Sequence, residues 1–71
     1  MTEKGKIGVE LLDAVAESFS TAKSLDGLYM YIKGGLLMLY NLNLISKEEH
    51  QELSRKYLRE YYIALGVIVG G

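Results

Sequence analysis

Apolar residues recur at three- and four-residue steps in three runs along the chain, with polar or glycine-containing breaks between them. Spacing of this kind puts one apolar stripe on a helix, so the pattern predicts three amphipathic helices. The first spans about residues 7–22, with Leu11, Leu12, Val15, Phe19 and Ala22 as its buried stripe and Glu10, Asp13, Glu17 and Lys23 on the wet face. Ser18, Ser20 and Thr21 weaken its last turn, because their side chains compete for backbone groups. A break is expected at Ser24-Leu25-Asp26-Gly27. Ser24 is placed to cap a new helix by accepting a backbone N–H, which sets Asp26 in the first turn at the positive end of the dipole.

The second helix, about residues 25–40, carries the stripe Leu25, Leu28, Ile32, Leu36 and Leu39. Tyr29, Met30, Leu37, Met38 and Tyr40 spread apolar character well beyond that face. A helix apolar nearly all round is buried on several sides, and in so small a chain the extra sides need a cover. Gly34-Gly35 falls in mid-helix, where each glycine costs about 1 kcal/mol relative to alanine. Close approach of another backbone, a kink, or a break into two shorter helices would each account for the pair.

Asn41 to Glu49 is the clearest local signal. Asn43 suits the left-handed conformation that ends a helix. Ser46 and Glu49 match the S-x-x-E capping box, in which each side chain satisfies the other's backbone donor, and Ile45 just before the cap is set to pack back onto the fold. The third helix, about residues 47–65, has the stripe His50, Leu53, Tyr57, Tyr61 and Ala64, flanked by Leu58, Tyr62 and Leu65. Glu52 with Lys56, and Arg55 near Glu48 and Arg59, belong to its solvated side. The segment 66–71 is apolar, β-branched and glycine-ended, and is expected to dock on the core as a short extended piece.

Seventy-one residues, 49% hydrophobic and lacking both Cys and Pro, make one domain held by apolar packing alone. A domain this small buries only about 60% of the surface its unfolded chain exposes. The fold expected is therefore all-α, a small three-helix bundle or a helical hairpin plus one helix, completed by dimerisation. Eight basic against nine acidic residues, a net charge of -1, argue against a nucleic-acid binder and against a cationic membrane-surface helix. Lys33, Asn41 and Asn43 interrupt the most apolar stretch, Leu28 to Ile45, which argues against a membrane span. The polar start, Met1 to Lys6, is not followed by an apolar secretory region, and a cytoplasmic location is expected.

The stretch Leu36 to Leu53, about a quarter of the chain, resembles the helical hairpin of SHOCT-type short C-terminal domains. Those domains show leucines, a glycine, then Ile-Ser or Ile-Thr followed by two acids and an aromatic. Here Leu36, Leu37 and Leu39 are followed by Ile45-Ser46-Lys47-Glu48-Glu49. Asn43 and Leu44 replace the glycine neighbourhood, and His50 stands where the aromatic would be. The resemblance implies an interaction or oligomerisation module and carries over no catalytic residue. Helix–helix turns of this style are common in small proteins of bacteria and their phages, and such a source is expected.

Candidate chemistry is sparse. His50, the only histidine, has acids around it but no metal-ligand spacing, and its one-turn separation from Ser54 is a geometry that recurs by chance on helix surfaces. No catalytic, cofactor or metal residue is assigned, and the chain is expected not to be an enzyme. Gly34-Gly35 lacks the flanking pattern of a phosphate loop. Six tyrosines remain, which serve either as core residues with wet hydroxyls or as interface residues beside arginines. The interface expected comprises Leu28, Tyr29, Ile32 and Leu36 of the second helix with Arg55, Tyr57, Arg59, Tyr61 and Tyr62 of the third. The function expected is protein–protein interaction as a small regulator, adaptor or inhibitor, with a protein partner or a second copy. The alternative is a helix-turn-helix-like nucleic-acid regulator, disfavoured by Glu48 and Glu49 at the start of the reading helix.

Overall fold

Thr2 starts the first helix earlier than the apolar pattern implies. Its Oγ1 accepts from the Gly5 amide at 2.9 Å, so α1 runs Glu3–Ala16. The helix also stops sooner than residue 22, because the serine- and threonine-rich end does not sustain it; a single 3-10 turn, Phe19–Thr21, follows and delivers Phe19 to the core. The second helix, α2, spans Leu25–Asn41 and the third, α3, spans Lys47–Leu65. A computed structural model describes residues 1–66, in which the chain is an all-α three-helix bundle, with no strand among the described residues. The expected docking of the 66–71 tail falls outside the described residues apart from Gly66, whose φ of 81° ends α3.

Two capping expectations divide. Ser24 stands at the N-cap of α2, but its φ of -125° and ψ of 81° lie off the extended region that aims a capping hydroxyl, and it makes no capping hydrogen bond. Ser46 caps α3 as expected: its Oγ accepts from the Glu49 amide at 3.1 Å while its own amide donates to Glu49 Oε1 at 2.8 Å. Asn43 adopts φ 60°, and the Leu44 amide donates to the Leu39 carbonyl at 2.9 Å to close α2.

Gly34-Gly35 neither breaks nor interrupts α2, and its two members face different surroundings. A Cβ on Gly35 would lie 2.9 Å from Leu12 Cδ2, and one on Gly8 would lie 2.6 Å from Leu39 Cδ2. Leucine thus fills the space over glycine twice, in alternating directions, along an antiparallel α1–α2 contact. Gly5 extends the contact to the α2–α3 turn, where a Cβ would meet the Leu44 carbonyl at 2.2 Å. The Thr2 amide donates to that same carbonyl at 3.1 Å.

Leu12, Ala16, Phe19, Ile32, Leu36, Ile45 and Tyr57 form the buried core. The stripes expected on α2 and α3 hold, since Leu25, Leu28, Leu39, Leu53, Tyr61 and Ala64 pack partly buried around it. On the first segment the expected stripe holds at Leu12, Val15 and Phe19, with Gly5 and Ala16 buried beside it, but Leu11 is 65% exposed. α2 packs against both other helices, and α1 meets α3 on a narrower front. No helix among the described residues is long and apolar enough to cross a membrane.

Candidate interaction surface

Side chains from all three helices meet at two tyrosine–carboxylate contacts. Tyr57 is 1% exposed, and its hydroxyl donates to Asp13 Oδ1 at 2.6 Å. Lys56 Nζ reaches the same oxygen at 3.0 Å, so Lys56 pairs with α1 rather than with Glu52 of its own helix, and Asp13 is not a purely solvated residue. Burial, then the bond to Asp13, push the Tyr57 phenol well above its usual range. One turn further along α3 the Tyr61 hydroxyl donates to Asp26 Oδ1, which likewise raises the Tyr61 pKa. The Tyr61 ring stacks on Tyr29 at 4.3 Å and 12°, and it meets Phe19 edge-on at 6.4 Å. Burial raises the Tyr29 pKa, and Tyr62 adds to the rise.

These contacts sort the expected interface residues. Ile32, Leu36 and Tyr57 belong to the core and present no free surface, because α2 turns its stripe inward against both neighbours. Leu28, Tyr29 and Tyr61 are half-buried. Arg55, Arg59 and Tyr62 are exposed and share one stripe on α3 at four- and three-residue steps. His50 is half-buried with its ring 5.0 Å from that of Tyr40. Among the described residues no group of three His, Cys, Asp or Glu side chains is gathered as for a metal ion. Glu49 in the first turn of α3 has its carboxyl pulled below the usual range by the Ser46 amide and by the Met1 amino group, 3.0 Å away.

A larger apolar surface lies where the stripe pattern did not place it. Met30, Tyr31, Leu37 and Met38 of α2 are 62, 65, 50 and 62% exposed. Ile7 and Leu11 of α1 and Leu42 after α2 are exposed as well. The antiparallel pairing of Gly8 with Leu39 and Leu12 with Gly35 fixes the rotation of both helices. It puts Ile7, Leu11, Tyr31, Met38 and Leu42 together on the side away from α3. Around the outer side of α2, Met30, Lys33, Gly34 and Leu37 line a groove of roughly 370 Å³ with His50 and Ser54 of α3. The signal was present in the sequence as apolar residues off the main stripe of α2, and as the adjacent pair Leu11-Leu12, of which a helix can bury only one deeply. A second groove, of roughly 450 Å³, is polar-rimmed and runs between α1 and α3 past Asp13, Glu17, Lys56 and Glu60.

Comparisons with protein-family models, with curated proteins and with solved structures find no match to this chain.

Proposed function

We propose that this chain is a non-enzymatic protein–protein interaction protein, acting as a regulator, adaptor or inhibitor by occlusion or assembly. The observation that carries the reading is the amount of apolar surface left uncovered. Among the described residues seven side chains make up the buried core, and seven large ones, Ile7, Leu11, Met30, Tyr31, Leu37, Met38 and Leu42, lie exposed around α1 and α2. Single exposed hydrophobics are ordinary, but a contiguous apolar face marks a contact surface. Arg55, Arg59 and Tyr62 on α3 add residue types favoured at the centres of interfaces. The resemblance of Leu36 to Leu53 to a SHOCT-type hairpin points in the same direction.

Capture from an extract of the source cell tests the reading, with wild type and an Arg55→Glu/Arg59→Glu variant as paired baits. A stoichiometric protein held by the wild type and lost from the variant supports it. Retention of nucleic acid alone, released steeply as salt rises, replaces it with the helix-turn-helix alternative.

A further inference from the structure

Gly34 is the one mid-helix glycine whose position the folded chain does not account for. A Cβ there would meet nothing within 4 Å, whereas Gly35, Gly8 and Gly5 each have a neighbour pressed against them. An exposed glycine inside a helix is unfavourable relative to alanine, so nothing within the monomer favours it. Its surroundings supply a use. The four residues three and four positions away, Met30, Tyr31, Leu37 and Met38, are all large, apolar and at least half exposed. On a helix surface those four positions ring the central one. Gly34 is therefore the floor of a hole walled by four uncovered apolar side chains, the shape into which a facing helix packs.

We propose, resting on the interaction reading above, that the partner of this face is a second copy of the chain, whose α2 crosses the first at Gly34. A two-fold axis through Gly34 sets glycine against glycine and lets the two backbones approach closely, while the four wall residues of each copy interleave with those of the other. The four ring positions carry no charge, so the centre of the contact is apolar in both copies, while Lys33, which lines the neighbouring groove with Met30 and Leu37, stands at its edge. Ile7, Leu11 and Leu42 widen the same side. The seven are each 50–65% exposed, so the uncovered face is on the order of several hundred Å² per copy, against the roughly 800 Å² each partner gives up in a stable complex. Pairing also enlarges the core of a domain too small to bury much on its own.

Sedimentation equilibrium and light scattering on a sizing column, over a concentration series, test the pairing with wild type, Gly34→Arg and Leu65→Arg. Arginine is a good helix former and Gly34 has open space around it, so the first variant keeps its helical circular dichroism. Leu65 is exposed at the far end of α3 and serves as the matched control. The wild type is expected to be a dimer with a micromolar or tighter dissociation constant. Gly34→Arg is expected to weaken association by about 100-fold or more, the size of a central hot-spot loss, while Leu65→Arg dimerises like the wild type. A folded wild type that stays monomeric throughout, leaving the face to a foreign helix or a lipid surface, overturns the pairing, as does a dimer indifferent to Gly34→Arg. Neither result touches the interaction reading, which stands or falls on the paired capture from cell extract.

Discussion

Two glycine-to-alanine substitutions inside helices are expected to move stability in opposite directions, and the reason is geometric. Adding a methyl to a helix position is worth up to about 1 kcal/mol through propensity and reduced freedom of the unfolded chain. At Gly34 that gain is unopposed, since a Cβ meets nothing within 4 Å. At Gly5 the same methyl would sit 2.2 Å from the Leu44 carbonyl oxygen, a backbone atom that cannot turn aside. Relief requires α1 to lift from the turn, which strains the bonds from the Thr2 amide and Thr2 Oγ1 to that carbonyl, at 3.1 and 3.2 Å. Losing both costs about 2 kcal/mol at 0.5–1.5 kcal/mol each, and loosened packing of the buried Gly5–Ile45 contact adds to it. The expected net effect is a loss of about 2 kcal/mol for Gly5→Ala against a gain of about 0.5–1 kcal/mol for Gly34→Ala. Urea titrations followed by circular dichroism, run dilute enough to keep the chain monomeric, read both values. At 4–8 °C per kcal/mol the two melting temperatures should differ by roughly 10 °C or more. Equal shifts in the same direction would refute the close approach at Leu44 and with it the docking of α1 on the α2–α3 turn.

Tyr57→Phe keeps the ring and removes the bond to Asp13, and is expected to destabilise by about 1.5–3 kcal/mol in chemical denaturation, the range for a bond to a charged group. The raised pKa of Tyr57 means that the folded state holds the phenolic proton more tightly than the unfolded state. That contribution is complete below the unfolded value of about 10 and declines above it, so stability should fall as pH rises past 10, less steeply in the Phe variant. Ser46→Ala dismantles the capping box at the start of α3 and should cost about 1 kcal/mol, read as a lower urea midpoint with unchanged slope. Ile32→Ala empties a position that is 0% exposed and should cost about 2–5 kcal/mol, a large part of the roughly 4–10 kcal/mol available to a chain of this size, leaving a protein partly unfolded by thermal melt.

Where a local signal and a packing signal coincided, the chain was readable. Asn43, Ser46 and Glu49 each have a backbone role that follows from their own chemistry, and the turn forms as those roles dictate. The stripes of α2 and α3 were readable because each has one dominant apolar line. α1 departs from the pattern at both ends and at Leu11. Its contact line is Gly5, Gly8 and Leu12, and glycine adds nothing to a hydrophobicity pattern even where it admits a leucine from across the interface. Its start depends on Thr2, a cap with no glutamate or glutamine three positions on to mark it. The surface was misassigned for a related reason. Ile32 and Leu36 carry the strongest apolar signal and were expected at an interface, yet the strongest stripe is the one the monomer itself buries. The weaker, off-stripe residues of the same helix are the ones left outside. Pairings across the bundle, such as Asp13 with Tyr57 and Lys56 more than 40 positions away, have no local signature at all.

The latch between Thr2 and Leu44 closes a loop of 42 residues, whereas α2 and α3 are joined by a turn that carries its own stop and start signals. The order of assembly follows from that difference. Chain closure over a long loop must be offset before any contact at its ends is gained, while a helical hairpin with a short turn forms from neighbours. The α2–α3 hairpin is then expected to form first, with α1 seating its glycines against it afterwards. Substitutions along the Gly5–Gly8–Leu12 line should leave the refolding rate nearly untouched and accelerate unfolding, so the lifetime of the native state is set by the grip of its first helix.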